Sequence, residues 1–455
     1  MKKNDRLILN IEDLNNLGYG VAHKNGKTVF VSGAVDGDTC EVLILRDCGS
    51  YSVGKSTSVL IASPNRIEPA CSATVSCGGC AYGAISYDHE KEIKRETVRS
   101  AFRRAGMPDV SVAPVVSDGK TEFYRNKAII PIGYHEKHGF FSGFFAPKTH
   151  RIVPVVGCLL HKKSFTDITE RAKSIMGQES WLFLTAENRP VIKSLYFRAA
   201  ESGDIALTLI LEEDRPAAVQ RLSDRLSETF PQIVTVYTNL NPGDISTVLS
   251  PDFRLLRGSG YITDELCGAH FQISPASFYQ VNRHMAELLY QKGAELLAPA
   301  VGELVCDLYC GIGSIGLSVF REQRLIGIET VTEAVDCARR NAAANGADAV
   351  YYVGDAAKVI EALETAPDCV ILDPPRKGCT PELLSYLADK ASVSRILYIS
   401  CNPATLARDA HILQTYEYAL STVYPFDLFP RTGHVECVTL FTRCRTERKE
   451  CCNER

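Results

Sequence analysis

The stretch LYISCNPATLARD runs from Leu397 to Asp409 and carries a single thiol, Cys401. The apolar run at 396–399 predicts a buried strand that stops at Ser400, with Asn402-Pro403 turning the chain after it. Cys401 is therefore expected where a strand ends, on the edge of an open α/β sheet that faces the ligand crevice. A thiolate in that place can act as a covalent nucleophile. Carbon 5 of a pyrimidine is a poor nucleophile, but a thiolate added to carbon 6 turns the ring into an enolate whose carbon 5 can attack a sulfonium methyl. A base must then take the carbon 5 proton so that the thiol can leave. Glu436, in TGHVECVTLF, stands at the predicted start of a late strand. Its neighbours His434 and Val435 suggest a partly dry setting, which would raise its pKa. Taken singly, a buried Cys is inert packing and a Glu before a strand is solvated. The two gain meaning only beside a cofactor crevice.

That crevice is legible in CDLYCGIGSIGLSVF, residues 306–320. Gly311, Gly313 and Gly316 satisfy G-x-G-x-x-G between a predicted strand and a predicted helix, and Glu329 ends the next strand, where an acid can hold ribose hydroxyls. By pattern alone this is an NAD site. Asp307 lies just before the turn, Asp355 ends the third strand, and DPPR, Asp373 to Arg376, ends the fourth. Several carboxylates around one ligand disfavour a dianionic pyrophosphate and favour a cationic cofactor, S-adenosylmethionine (SAM). An aromatic residue after DPP would point to methylation of an exocyclic amine; Arg376 stacks less specifically, which returns the chemistry to Cys401.

The elements that must position these residues follow from the patterning. From about Ser274, buried strands alternate with helices, which predicts a doubly wound parallel sheet of Rossmann-like type at 266–455. Ser274-Pro275 reads as the start of its first helix. Residues 7–60 alternate apolar and polar residues between Gly-rich turns, with Lys24-Asn25-Gly26-Lys27 as a hairpin signal, and predict a small β-barrel over 1–62. Between them, 63–265 predicts a central, mainly β and α+β domain. It includes helices from about Asp88 to Arg104 and from about Arg215 to Thr229.

The net charge of -4 over 455 residues makes no global case for nucleic acid. Residues 81–160 hold 12 Lys+Arg against 8 Asp+Glu, a local excess that a phosphate-facing surface would explain and a solvated face would equally produce. The first ten residues have no apolar core or cleavage site of a signal peptide, and no apolar run approaches a membrane span. Seventeen cysteines, an odd number unevenly spaced, predict a reducing cytoplasm and metal or catalytic use.

FYQVN, DLYCGIGS, IGIE, DPPRKG, SCNPATLARD and HVECV stand in one order over roughly the last 180 residues. In these motifs the chain resembles the RNA 5-methyluridine (uracil-C5) methyltransferases. The resemblance implies Cys401 as nucleophile and Glu436 as proton acceptor. It implies SAM contacts from Gln280, Tyr309, Glu329 and Asp373, with Asp355 and Ser314 added; the family often carries Asn at the latter position. Asp373 or Gln280 would also reach the uracil edge.

Cys71, Cys77 and Cys80 are followed at a distance by Cys158. Spacing leaves an iron–sulfur cluster, zinc and reduced free thiols all open. Gly78-Gly79 leaves room for backbone to approach sulfur. The resemblance implies a 4Fe–4S cluster on these four, with a structural or RNA-orienting role, and leaves the other cysteines, including Cys451 and Cys452, as inert thiols. It also implies that the N-terminal segment is a TRAM-like RNA-binding module. Members with both features are usually ribosomal RNA enzymes, while some cluster-bearing relatives act on transfer RNA, so a cytoplasmic, monomeric enzyme for structured RNA is expected, with 23S ribosomal RNA ahead of transfer RNA. Two rivals of different class are an NAD-linked iron–sulfur oxidoreductase and a non-catalytic RNA-binding protein.

Overall fold

The computed structural model describes residues 1–243, 249–390 and 392–444; Cys451 and Cys452 lie outside them. The chain forms two compact units. Among the described residues, one comprises Met1–Ile93, Gly119–Ile262 and Phe429–His434; the other comprises Lys94–Asp118, Thr263–Leu428 and residues 435–444.

In the first unit, the N-terminal strands build a six-stranded sheet in the order Arg6–Asn10, Thr39–Asp47, Tyr51–Ile61, Lys27–Ser32, Gly20–Lys24, Asp13–Leu14. Lys24 pairs with Lys27 across Asn25 and Gly26, both at positive φ, as the Asn-Gly hairpin signal requires. Alternate residues, among them Leu9, Ala22, Val29, Val31, Val42 and Ile44, pack one core. The expected barrel takes the form of a mixed sheet, and among the described pairings its two outermost strands do not close on each other.

A second sheet in this unit has seven strands: Phe253–Arg257, Ile233–Leu240, Ile205–Leu211, Ile192–Ala199, Lys127–His135, Gly139–Phe145 and Ile152–Pro154. Helices Lys163–Gln178 and Pro216–Thr229 bury Ile168, Ala172, Ile175, Leu222 and Leu226 in the same core as its strands. Helix Tyr87–Arg104 begins within a residue of its expected start, with Asp88 and Glu90 in the first turn and Arg103 and Arg104 in the last.

The second unit holds the sheet that matters for chemistry. Its order is Ala349–Val353, Arg324–Glu329, Leu304–Leu308, Cys369–Leu372, Arg395–Ser400, Glu436–Arg443, Tyr418–Leu420, with Tyr424–Phe426 also paired to Glu436–Arg443. The first five are parallel, and each neighbouring pair is in continuous register. Strand Glu436–Arg443 then runs antiparallel to Arg395–Ser400, so the expected doubly wound parallel sheet carries antiparallel strands at one side. The reversal lets a late strand bring its first residue to the same edge at which the parallel strands end. The switch point lies between Leu304–Leu308 and Cys369–Leu372, where chain direction around the sheet reverses.

The helix expected at Ser274 starts at Arg283 instead, capped by the Asn282 side chain, which accepts from the Met285 amide at 3.4 Å. Ser274 Oγ and Ser277 Oγ stand 2.8 Å apart in a turn, so the Ser-Pro signal served a turn and the downstream Asn took the cap.

Candidate active site

The glycine loop after Leu304–Leu308 is shaped by its neighbours. Tyr309 adopts a left-handed φ of 65°, rare for a bulky side chain. A Cβ on Gly327 would fall 2.3 Å from the Tyr351 ring, and one on Gly313 would fall 2.7 Å from its hydroxyl. Tyr351 thus fills the space that two glycines leave open, and it fixes the loop against the neighbouring strands.

Glu329 ends its strand with both oxygens engaged. Oε2 accepts from the Gly311 amide at 3.2 Å, and Oε1 accepts from the amides of Thr330 and Val331. Asp307 Oδ2 accepts from the Gly316 amide at 3.1 Å, while its Oδ1 is buried with no hydrogen-bond partner. Burial raises the Asp307 carboxyl to about 7, with Asp373 and Glu329 adding to the rise. Asp373 is likewise pushed to about 7 by burial. A buried carboxylate with an unmet oxygen, facing two further acids, fits a cationic ligand and opposes a pyrophosphate.

Gln280 and Ser314 both hydrogen-bond the hydroxyl of Tyr290, Ser314 at 3.5 Å, so two expected cofactor residues meet on one wholly buried tyrosine. Asp355 caps helix Ala356–Glu361, accepting from the amides of Ala357 and Lys358 at 3.2 and 3.3 Å. Tyr309 reaches the thiol of Cys379 on the loop after Cys369–Leu372.

The two residues expected to carry the chemistry, Cys401 and Glu436, are placed by strand register. Ser400 is the last residue of its strand to pair, opposite Cys437; one step further stand Cys401 and Glu436. Burial raises the Cys401 thiol to about 11, with Glu436 and Asp373 adding to the rise and Arg376 opposing it. Glu436 is raised well above the usual carboxylate range by burial, then by Asp373, again against Arg376. Arg376 is thus the cation of this group. From its place after DPP, Arg376 offers only a weak stacking surface; its charge acts here because the fold sets it among Cys401, Asp373 and Glu436. Asn402 caps helix Pro403–Thr415 and donates from Nδ2 to the Arg376 carbonyl at 3.0 Å, joining the thiol's turn to the arginine's loop.

In the first unit, Cys71, Cys77, Cys80 and Cys158 line one cavity of about 440 Å³ together with Arg125 and His161. The Gly79 amide donates to Cys77 Sγ, and the amides of Leu160 and His161 donate to Cys158. The thiol of Cys80 is pushed up to about 12 by burial and then by the other three. Among the described residues, no three or more His, Cys, Asp or Glu side chains are grouped as they stand to hold a metal ion. The donor set nonetheless fits a thiolate-ligated group: four sulfurs share one cavity and three backbone N–H groups point at two of them. Among the described residues no helix is long and apolar enough to cross a membrane.

A family model described as tRNA (uracil-5-)-methyltransferase matches residues 86–444. An uncharacterized RNA methyltransferase of Clostridium tetani is 34% identical over 449 residues, covering 97% of each chain. One from Gloeobacter violaceus is 33% identical over 433 residues, covering 94% of each. The crystal structure of Pyrococcus abyssi tRNA (uracil-54, C5)-methyltransferase with S-adenosyl-L-homocysteine superposes with a TM-score of 0.76. It is 24% identical and covers 96% of this chain and 100% of that one, a likeness of fold. The NAD-linked and non-catalytic alternatives give way to this match, which agrees with the cation-seeking carboxylates of the glycine loop. The chain belongs to the tRNA (uracil-5-)-methyltransferase family of SAM-dependent RNA methyltransferases.

Proposed function

We propose that this enzyme methylates carbon 5 of a uridine in 23S ribosomal RNA through a covalent link between Cys401 and carbon 6 of the base. The observation that carries this reading is the placement of Cys401 and Glu436 one step beyond the last strand pair, with Asp373 and Arg376 close enough to shift both. In the reaction Cys401 Sγ, as thiolate, bonds carbon 6, and the electrons of the C5–C6 double bond move to the carbonyl at carbon 4. Arg376 stabilises negative charge on the thiolate and then on the enolate oxygen. SAM, when bound, supplies a methyl group to carbon 5. Glu436 takes the carbon 5 proton, the double bond re-forms, and Sγ leaves. The base must leave its stack to reach the thiol.

Gln280, Tyr309, Ser314, Glu329 and Asp373 would hold the cofactor, with Asp307 facing its cationic end; Asp355 would contribute through the helix it caps. A 4Fe–4S cluster on Cys71, Cys77, Cys80 and Cys158 is supported by the shared cavity and the N–H groups on sulfur. It would supply structural support or orient the RNA, with no part in methyl transfer. The N-terminal sheet would be the TRAM-like RNA-binding module of a three-domain, monomeric, cytoplasmic enzyme divided at 1–62, 63–265 and 266–455. Transfer RNA is the second substrate reading, favoured by the tRNA enzyme to which the fold is similar.

The test is tritium release from RNA labelled at carbon 5 of uridine, with and without SAM, for wild type and Cys401→Ala. SAM-dependent release from protein-free 23S ribosomal RNA that vanishes in the variant is expected. Release from transfer RNA alone would move the substrate. No release from either by folded protein would sink the reading.

A further inference from the structure

Residues 125–166 hold seven Lys+Arg (Arg125, Lys127, Lys137, Lys148, Arg151, Lys162, Lys163) and one acid, Glu136, in a chain whose net charge is -4. Within this stretch the loop after strand Gly139–Phe145 is unusual in being both exposed and fixed. Phe145 is 41% exposed, and residues 147–151 are all exposed. The rings of Phe145 and His150 meet edge to face at 6.1 Å. The loop closes on itself: the Ala146 amide donates to the Arg151 carbonyl at 2.8 Å, and the Thr149 amide and hydroxyl both donate to the Ala146 carbonyl.

Its inner side is anchored on the thiol-bearing turn. A Cβ on Gly78 would lie 2.3 Å from Pro147 Cγ, so the proline ring rests on a glycine that is also held at a φ of +68°. Ala146 and Val153 share a small apolar cluster with Cys71 and Cys77. A loop that presents two cations and two aromatic rings in one fixed shape matches what single-stranded nucleic acid offers, phosphates at regular spacing and unstacked bases. Fixing the loop beforehand lowers the entropy cost of binding.

We propose that residues 145–151 are an RNA-contacting surface of this enzyme, with Lys148 and Arg151 on phosphates and Phe145 with His150 against unpaired bases. This rests on the reading of the enzyme as acting on structured RNA, and it adds a site of contact outside the catalytic unit.

The test is equilibrium binding of the full-length protein to transcribed 23S ribosomal RNA across a salt series. Wild type is compared with Lys148→Glu/Arg151→Glu and with Phe145→Ala; circular dichroism and SAM affinity report that the fold and the cofactor site are intact. The charge reversal is expected to weaken binding at least about tenfold at low salt. It should also flatten the slope of log K against log salt by about 1.4, from about 0.7 per single-strand phosphate contact. Phe145→Ala is expected to weaken binding with the slope unchanged, since stacking releases no counterions. Folded variants that bind as tightly as wild type, with the same slope, would overturn the proposal while leaving the methyltransferase reading intact. A wild type that neither binds nor methylates the RNA would overturn both.

Discussion

The Tyr398 hydroxyl donates to Asp409 Oδ2 at 2.6 Å, with both side chains wholly buried. The same oxygen accepts from the Cys379 amide at 2.9 Å, and Oδ1 accepts from Arg408 Nε at 2.8 Å. Arg408 also donates to the carbonyls of Lys377 and Cys379. One carboxylate therefore ties together the strand that ends before Cys401, the helix that follows it, and the loop that carries Arg376. Asp409→Asn keeps the shape but leaves a guanidinium without its anion. We expect kcat to fall roughly 10- to 100-fold, the scale of a slight misplacement of reacting groups. The KM for SAM should change little. A fall in SAM affinity equal to the fall in kcat would assign Asp409 to cofactor binding instead.

Cys401 reactivity should rise with pH toward a midpoint near 11 in the free enzyme. The carboxyl of Glu436 raises the thiol, so Glu436→Gln should move the midpoint down. Arg376 lowers it, so Arg376→Gln should move it up. Iodoacetamide labelling of the Cys401 peptide, followed by mass spectrometry, reads both shifts; shifts of the same sign would refute this electrostatic account.

Asp307 and Asp373 titrate near 7 when folded and at ordinary carboxylate values when unfolded. Between about pH 4 and 7 the unfolded chain therefore sheds their protons first, so stability without cofactor falls across that window and levels off above it. A cationic ligand prefers the ionised acids, so SAM should bind more tightly as pH rises from 6 to about 8, by up to about tenfold per unit for each acid. Calorimetric titration at several pH values checks this, and Asp307→Asn should flatten the trend.

Lys94 Nζ meets Asp427 Oδ1 at 2.7 Å, with side chains 1% and 0% exposed. Removing one partner strands a buried charge, and Asp427→Ala should cost roughly 3–5 kcal/mol. Lys94→Met combined with Asp427→Leu should cost less than either Lys94→Met or Asp427→Ala alone. Chemical denaturation of all three would show the difference, and a double variant less stable than both singles would contradict it.

The central parallel strands were readable because they are buried runs bounded by turn residues, as at Leu304–Leu308, Cys369–Leu372 and Arg395–Ser400. The glycine loop was readable because Gly311, Gly313 and Gly316 answer to local geometry. What escaped was non-local. The antiparallel insertion of Glu436–Arg443 depends on which neighbour a strand chooses, and alternation along one strand does not encode that. The helix start at Arg283 depended on competition between two cap signals, Ser274 and Asn282. Arg376 was visible as a residue, but its charge became meaningful only once the fold brought it near two buried acids and a thiol. Asp355 was legible as an acid at a strand end, but its role as the cap of helix Ala356–Glu361 needed the structure.

The strand Glu436–Arg443 is the last of the described strands in chain order, yet it lies between Arg395–Ser400 and Tyr418–Leu420, both made earlier. On the ribosome those two strands must wait with exposed edges until it arrives, since chains grow from the N-terminus and non-local pairing is slow. The acid opposite the thiol is thus among the last parts to reach its place. A nascent or truncated chain can carry Cys401 without the proposed proton acceptor Glu436, so under that proposal the order of synthesis itself delays competence until the sheet is finished.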